Sequence, residues 1–182
     1  KIPAEGDPQL WIAGKSGPLF IRKGDTTWST KLVDAAFPSF DQVIPNDWSL
    51  TVTCDRAQLA DAVSAVSIVA SDRTSGVRFR VDPEKGVMEI TSENPDTGAM
   101  TDEVPCEVDR VESKGSQGSK GSQGSNGVYI GFNGRYVLDT LGALSGDRVT
   151  LRFSGELDPC RIEDAALPGF VGVWMPMRIQ GQ

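Results

Sequence analysis

Two stretches of this chain repeat one order of elements, and that repetition restricts the fold more than any single motif does. Residues 49–111 open with the alternating run SLTVTC, switch to helical period in DRAQLADAVSAV, and continue with three strand-like runs, GVRFRVD, GVMEITSEN and AMTDEVPCEV. Residues 127–180 open with GVYIGF, switch in NGRYVLDTLGAL, and continue with RVTLRFSG, PCRIEDA and FVGVWMPMRI. Residues 8–35 read as the last three strands of a further copy, in QLWIAG, PLFIRKG and TTWSTKLV.

The two helical segments, 55–66 and 133–144, carry their own start signals and apolar stripes. In the first, Leu59, Val63 and Val66 recur at helical spacing and Ala62 fills the stripe. Asp55, a better side-chain acceptor than Cys54, is the expected N-cap. In the second, Asn133 is the expected N-cap and Val137, Leu138, Leu141 and Leu144 the buried face. Gly146 is expected to end that helix in a left-handed conformation. The turn at Glu84-Lys85-Gly86 marks a hairpin. The expected fold class is α+β, repeated strand-helix-three-strand modules with helices on one face of antiparallel sheets. Between the modules, residues 113–127 are almost wholly Gly, Ser, Gln and Lys, the composition of a flexible linker. That tract lacks the Gly-Lys-Ser/Thr ending and the strand-to-helix setting of a phosphate loop.

Composition then removes several chemistries. The sequence has no His, which eliminates Ser-His and Cys-His nucleophile pairs and imidazole bases. Its 3 cysteines are too few and too scattered for a disulfide framework or a zinc site, so they read as reduced, and no metal or other cofactor is expected. Glu163 and Asp164 are adjacent on a strand and so point to opposite faces, unable to pair across a substrate. The expectation is a non-enzymatic scaffold. No apolar run approaches the length of a membrane-spanning helix, and the opening KIPAEGDPQ is too polar for a signal peptide, so a cytoplasmic setting is expected. The missing initiator Met suggests a fragment or a processed chain. A net charge of −7 permits nucleic-acid binding only where basic residues gather on one face.

Five blocks, TKLVDAAFPSFDQVIP, SDRTSGVRF, ITSENPDTG, IGFNGRYVLDTLGAL and VWMPMRI, occur in the order found in the bacterial sliding clamp family, the beta subunit of DNA polymerase III, which this chain resembles over nearly its whole length. The resemblance implies a DNA-clamp fold and places residues 1–48 in the second half of the middle clamp domain and 49–182 in the C-terminal domain. It implies a processivity factor of DNA replication that forms a homodimeric ring on double-stranded DNA without reading its sequence. The implied partners are the DNA polymerase III alpha subunit, the clamp loader and repair proteins, captured through short linear motifs, with no membrane involved. An isolated peptide-binding fragment that does not encircle DNA is the alternative.

By the same resemblance, a peptide pocket falls to Pro38 and Val43 of the connector, Pro159 of a facing segment, and Val173, Met175, Pro176, Met177 and Arg178 at the C-terminus. The residues alone leave VWMPM open between a core strand and a pocket lining. Met suits a pocket for varied ligands because its thioether is flexible and polarisable. Where the family often carries a basic residue in the connector, this chain has Gln42. The implied DNA-facing residues are Arg56, Arg73 and Arg135, whose charges read equally as ordinary solvated helix charges. Ile68 and Val69 fall at the implied subunit interface, with burial in the domain's own core as the other reading.

Overall fold

The computed structural model describes residues 9–12, 17–36, 39–70, 75–110 and 128–179. Pro38, Arg73 and the linker tract 113–127 lie outside the described residues. The chain divides into two compact units, Lys1–Ser39 and Phe40–Gln182. The first unit holds an antiparallel sheet in the order β1 (Gln9–Ile12), β2 (Leu19–Lys23), β3 (Thr26–Thr30). Gly24, at φ 58°, supplies the positive-φ residue that the two-residue turn between Lys23 and Thr26 requires. The third strand stops at Thr30, so the Lys31-Leu32-Val33 end of the expected strand carries no ladder.

The division into compact units falls before Phe40, and the connector from Phe40 on is stitched to the second unit. Phe40–Gln42 forms a 3-10 turn that accepts from the Val43 N–H at 2.9 Å. Ser154 Oγ donates to the Asp47 carbonyl at 2.6 Å, and the Ser49 N–H donates to that of Phe153 at 2.9 Å.

The second unit contains both modules. Module one is β4 (Leu50–Asp55), α1 (Arg56–Ser67), β5 (Gly76–Asp82), β6 (Val87–Asn94) and β7 (Gly98–Arg110). Module two is β8 (Tyr129–Asn133), α2 (Gly134–Ala143), β9 (Arg148–Phe153), β10 (Cys160–Glu163) and β11 (Gly172–Trp174). All eight strands form one antiparallel sheet in the order β11-β10-β9-β4-β7-β6-β5-β8. Each module therefore lends its first strand to the other: β4 pairs with β9, and β8 with β5. Both expected N-caps are in place. Asp55 Oδ1 accepts from the Gln58 N–H at 2.8 Å, and Asn133 Oδ1 from the Arg135 N–H at 3.0 Å. The two helices pack on one another, and their stripes enter one core. Leu59, Val63 and Val66 of α1 and Val137 and Leu141 of α2, with Leu144 just beyond it, are buried; Leu138 is half-buried against the same core.

Backbone registers make the duplication a residue-by-residue correspondence. Asp55 faces Arg148 as Asn133 faces Gly76, and the next residue donates its N–H to a carbonyl just before the strand: Arg56 to Asp147, Gly134 to Ser75. Following the ladders outward, Ser92 corresponds to Asp164, Val104 to Trp174, and Glu107 to Met177. The Met177 N–H donates to the Gly131 carbonyl at 2.8 Å, which is the counterpart of the Thr53–Glu107 pairing that joins β4 to β7. This contact brings the end of the chain back onto β8, the opposite edge of the sheet.

Gly146 is not left-handed; the described glycines with positive φ are Gly24, Gly86, Gly98 and Gly169. What fixes Gly146 is space, since a Cβ there would run into the Asp164 carboxylate. The expected strand FVGVWMPMRI is also shorter than its apolar run. Phe170 is held in a turn by its N–H to the Leu167 carbonyl, and Pro176 has no N–H to give a ladder.

Candidate functional site

The C-terminal segment divides its side chains between the core and the surface. Trp174 is 3% exposed, stacks edge-on to Phe132 at 5.5 Å, and donates its indole N–H to Thr140 Oγ1 at 3.0 Å. It is an anchor with both its ring and its polar atom satisfied. Val173 before it is half-buried, and Met175 after it is 59% exposed. The segment is thus not a core strand throughout: Trp174 belongs to the core and Met175 to the surface.

The ladder between β10 and β11 ends where Cys160 faces Trp174; Pro159, half-buried, and Met175 are the next residues beyond that end on either strand. Arg161 faces Val173 and sends Nη1 to the Pro45 carbonyl at 3.4 Å, tying the connector that carries Val43 to the same edge. Arg161 also pairs with Glu163 at 2.8 Å, and Glu163 with Arg152 at 2.8 Å. Trp48 of the connector lies under the Arg152 guanidinium at 4.1 Å. This half-buried network fixes the connector against β9 and β10, and Val43 remains 39% exposed. Met177 sits apart from the Pro159–Met175 position. It lines a groove of about 500 Å³ with Tyr129, Gly131, Leu157 and Ile179, flanked by Arg78 and Glu93. Pro176 is half-buried and Arg178 exposed. Tyr136, which the sequence reading passed over, is 66% exposed and stands one turn before Thr140, the acceptor for Trp174. An aromatic off the apolar stripe of a helix was the available signal.

The residues expected to face DNA differ in how they are held. Arg135 is exposed at the start of α2. Arg56 is half-buried, donating Nε to the Gly146 carbonyl at 2.6 Å and Nη1 to that of Leu141 at 3.3 Å. Its charge thus compensates the C-terminal end of α2. At the proposed interface, Ile68 is 82% exposed, which removes burial in its own core as an account of it; Val69 is half-buried.

Glu163 and Asp164 do point apart. Glu163 joins the arginine network, while Asp164 is 5% exposed and accepts from the N–H groups of Gly146, Ser145 and Ala166 at 2.9, 3.0 and 2.8 Å. Those donors, Gly146 and Ala166 first, with Arg56 adding its charge, hold the Asp164 carboxyl below the ordinary range. Among the described residues, no group of three or more Cys, Asp or Glu side chains is placed to hold a metal ion.

The sequence profile of the DNA polymerase III beta subunit, C-terminal domain, matches residues 41–178. The beta sliding clamp of Pseudomonas aeruginosa is 30% identical over 179 residues, covering 98% of this chain and 44% of that protein. A solved clamp from Bartonella birtlesii, bound to griselimycin, superposes with a TM-score of 0.75 at 27% identity, over 96% of this chain and 42% of the other. A C. crescentus clamp, with polyethylene glycol bound to a proposed beta-motif tethering region, gives 0.74 at 28% identity, over 94% and 41%. The chain spans less than half the length of each of these relatives. The paired modules, their shared core and the match to residues 41–178 lead to one conclusion: the chain belongs to the DNA polymerase III beta-subunit family, the bacterial sliding clamps.

Proposed function

We propose that this chain is the part of a sliding clamp that receives short linear motifs of replication and repair proteins, as a non-catalytic cytoplasmic accessory of DNA polymerase III acting within a dimeric ring on double-stranded DNA. The observation that carries the reading is the C-terminal segment, where Trp174 is locked into the core while Met175, the next residue, stays largely exposed. An incoming Leu or Phe side chain seated there gains about 1.5–3 kcal/mol from leaving water. Val43 supplies the connector side of the pocket, Pro176 and Arg178 its end, and Met177 the neighbouring groove. Arg135, exposed at the start of α2, contributes cationic surface suited to loose, salt-sensitive phosphate contact. Ile68 and Val69 supply an apolar subunit contact. The described residues contain no helix long and apolar enough to cross a membrane.

Calorimetric titration of a peptide ending in Leu-Phe tests the docking role. Saturable one-to-one binding is expected, and its absence at millimolar peptide rules the role out. Retention of the assembled ring on circular but not linearised plasmid tests encirclement; equal loss from both contradicts it.

A further inference from the structure

Cys54 and Cys106 face one another across the β4–β7 ladder. Cys106 gives its N–H to the Gly86 carbonyl of the other neighbouring strand pair at 2.8 Å. Residues of an antiparallel strand point both backbone polar groups to one side, so Cys106 bonds toward β6 and not toward β4. The Arg56 N–H donates to Asp147, and two residues earlier Cys54 faces Val149 in the same register, so Cys54 bonds toward β9. The two cysteines are therefore a non-hydrogen-bonded pair, whose Cα atoms stand about 4.5 Å apart with side chains on the same face. That separation falls within the range a disulfide spans, about 4.4–6.8 Å. Both residues also line a solvent-open cleft of about 380 Å³, with Asp55, Gln58, Glu107 and Arg148 on its walls.

We propose that Cys54 and Cys106 form a redox modification site, a cross-strand dithiol that a small disulfide of the glutathione class converts to an intramolecular disulfide. Cys106, half-buried, is the attacking group, because Cys54 lies deeper, at 1% exposure. Its thiolate attacks one sulfur of the small disulfide, forming a mixed disulfide and releasing one small thiol. The Cys54 thiolate then attacks the Cys106 sulfur, closing the cross-strand bond and releasing the second. The two protein thiols lose two electrons, the small disulfide gains them, and the two protons end on the released thiols.

The site is slow at neutral pH by construction. Burial raises the Cys106 thiol to about 11; burial, then Cys106 and Asp55, raise Cys54 to about 12, with Arg148 opposing. Glu107 in the same cleft is paired to Arg148 at 2.8 Å and so adds little attraction or repulsion of its own. The thiolate fraction, and with it the rate, rises about tenfold per pH unit up to these values. Cys160 is fully buried and lies outside the cleft, which makes it an internal control.

Incubation of the full chain with excess oxidised glutathione at pH 7, 8 and 9, followed by intact mass and peptide mapping, tests this. The expected product has lost two hydrogens, joins the Cys54 and Cys106 peptides, leaves Cys160 alkylatable, and forms about a hundredfold faster at pH 9 than at pH 7. Its melting midpoint rises on the order of 5–10 °C through closure of the intervening loop. Cys106→Ser, a near-isosteric change, gives neither the link nor the rise. A stable glutathione adduct on Cys106 with Cys54 free, a link involving Cys160, a link between two molecules, or no reaction at pH 9 would each overturn the proposal.

Discussion

Modules one and two share a register throughout, yet they finish their outer strands differently. β7 runs 13 residues and pairs with β4 from Cys54 back to Leu50. Its counterpart β11 is 3 residues long, after which, among the described residues, the Met177 N–H reaches the Gly131 carbonyl of the strand that corresponds to β4. Module one thus seals its edge with a ladder, and module two leaves most of that edge unzipped. The substitutions follow this division. Val104 becomes Trp174, a larger anchor that holds the short strand by its side chain instead of by its backbone. Thr53 becomes Gly131, where any Cβ would press on the Met177 carbonyl at 2.7 Å and on Ile179. Pro105 and Glu107 become Met175 and Met177, so the freed segment presents apolar surface where module one presents a proline and a charge. The repeated modules supply the scaffold, and the short outer strand of module two leaves the apolar surface proposed above as the docking site.

Paired substitutions can break or sharpen this contrast. The largest effect is expected from Trp174→Ala, about 3–5 kcal/mol of unfolding free energy, against about 2 kcal/mol for the counterpart Val104→Ala, measured by urea denaturation. Equal losses would mean that the indole does not anchor the segment. Gly131→Ala should cost about 1–3 kcal/mol by overpacking and should expose the last residues to carboxypeptidase, whereas Thr53→Ala should leave them protected. The buried polar pair Asp164 and Ser92 separates by pH. Asp164 titrates below its unfolded value, so its contribution is present above about pH 4 and is lost as pH falls through the folded value. Thermal melts should therefore show Asp164→Asn less stable than wild type at pH 7, with the gap narrowing below pH 4. Ser92→Ala, which loses a 3.0 Å bond to the Gly76 carbonyl, should cost about 1 kcal/mol at every pH. Met175→Ala should change stability least, within about 0.5 kcal/mol, because the side chain is mostly solvated.

The modular order, both N-caps and nearly all of the helical stripes were legible in the sequence, since apolar period and capping chemistry are local signals. Strand exchange between modules was not, because which strand sits beside which is a nonlocal outcome that no short run encodes. Gly146 was misread for a related reason. Its neighbour Asp164 comes from a distant strand, and a steric demand of that kind looks the same in sequence as a conformational one. Arg56 resembled a solvated cation until α2 and the turn after it placed the Leu141 and Gly146 carbonyls against it. In the candidate site, Met175 came from the family resemblance, because the residues alone left VWMPM open between a core strand and a pocket lining.

The most direct test of an unsealed edge as the docking surface is one peptide titration run on three proteins: wild type, Met175→Ala and Pro105→Ala. The account predicts that a fluorescent peptide ending in Leu-Phe loses about tenfold or more in affinity for Met175→Ala and binds Pro105→Ala as it binds wild type. Unchanged binding by Met175→Ala, or an equal loss in both variants, would contradict it.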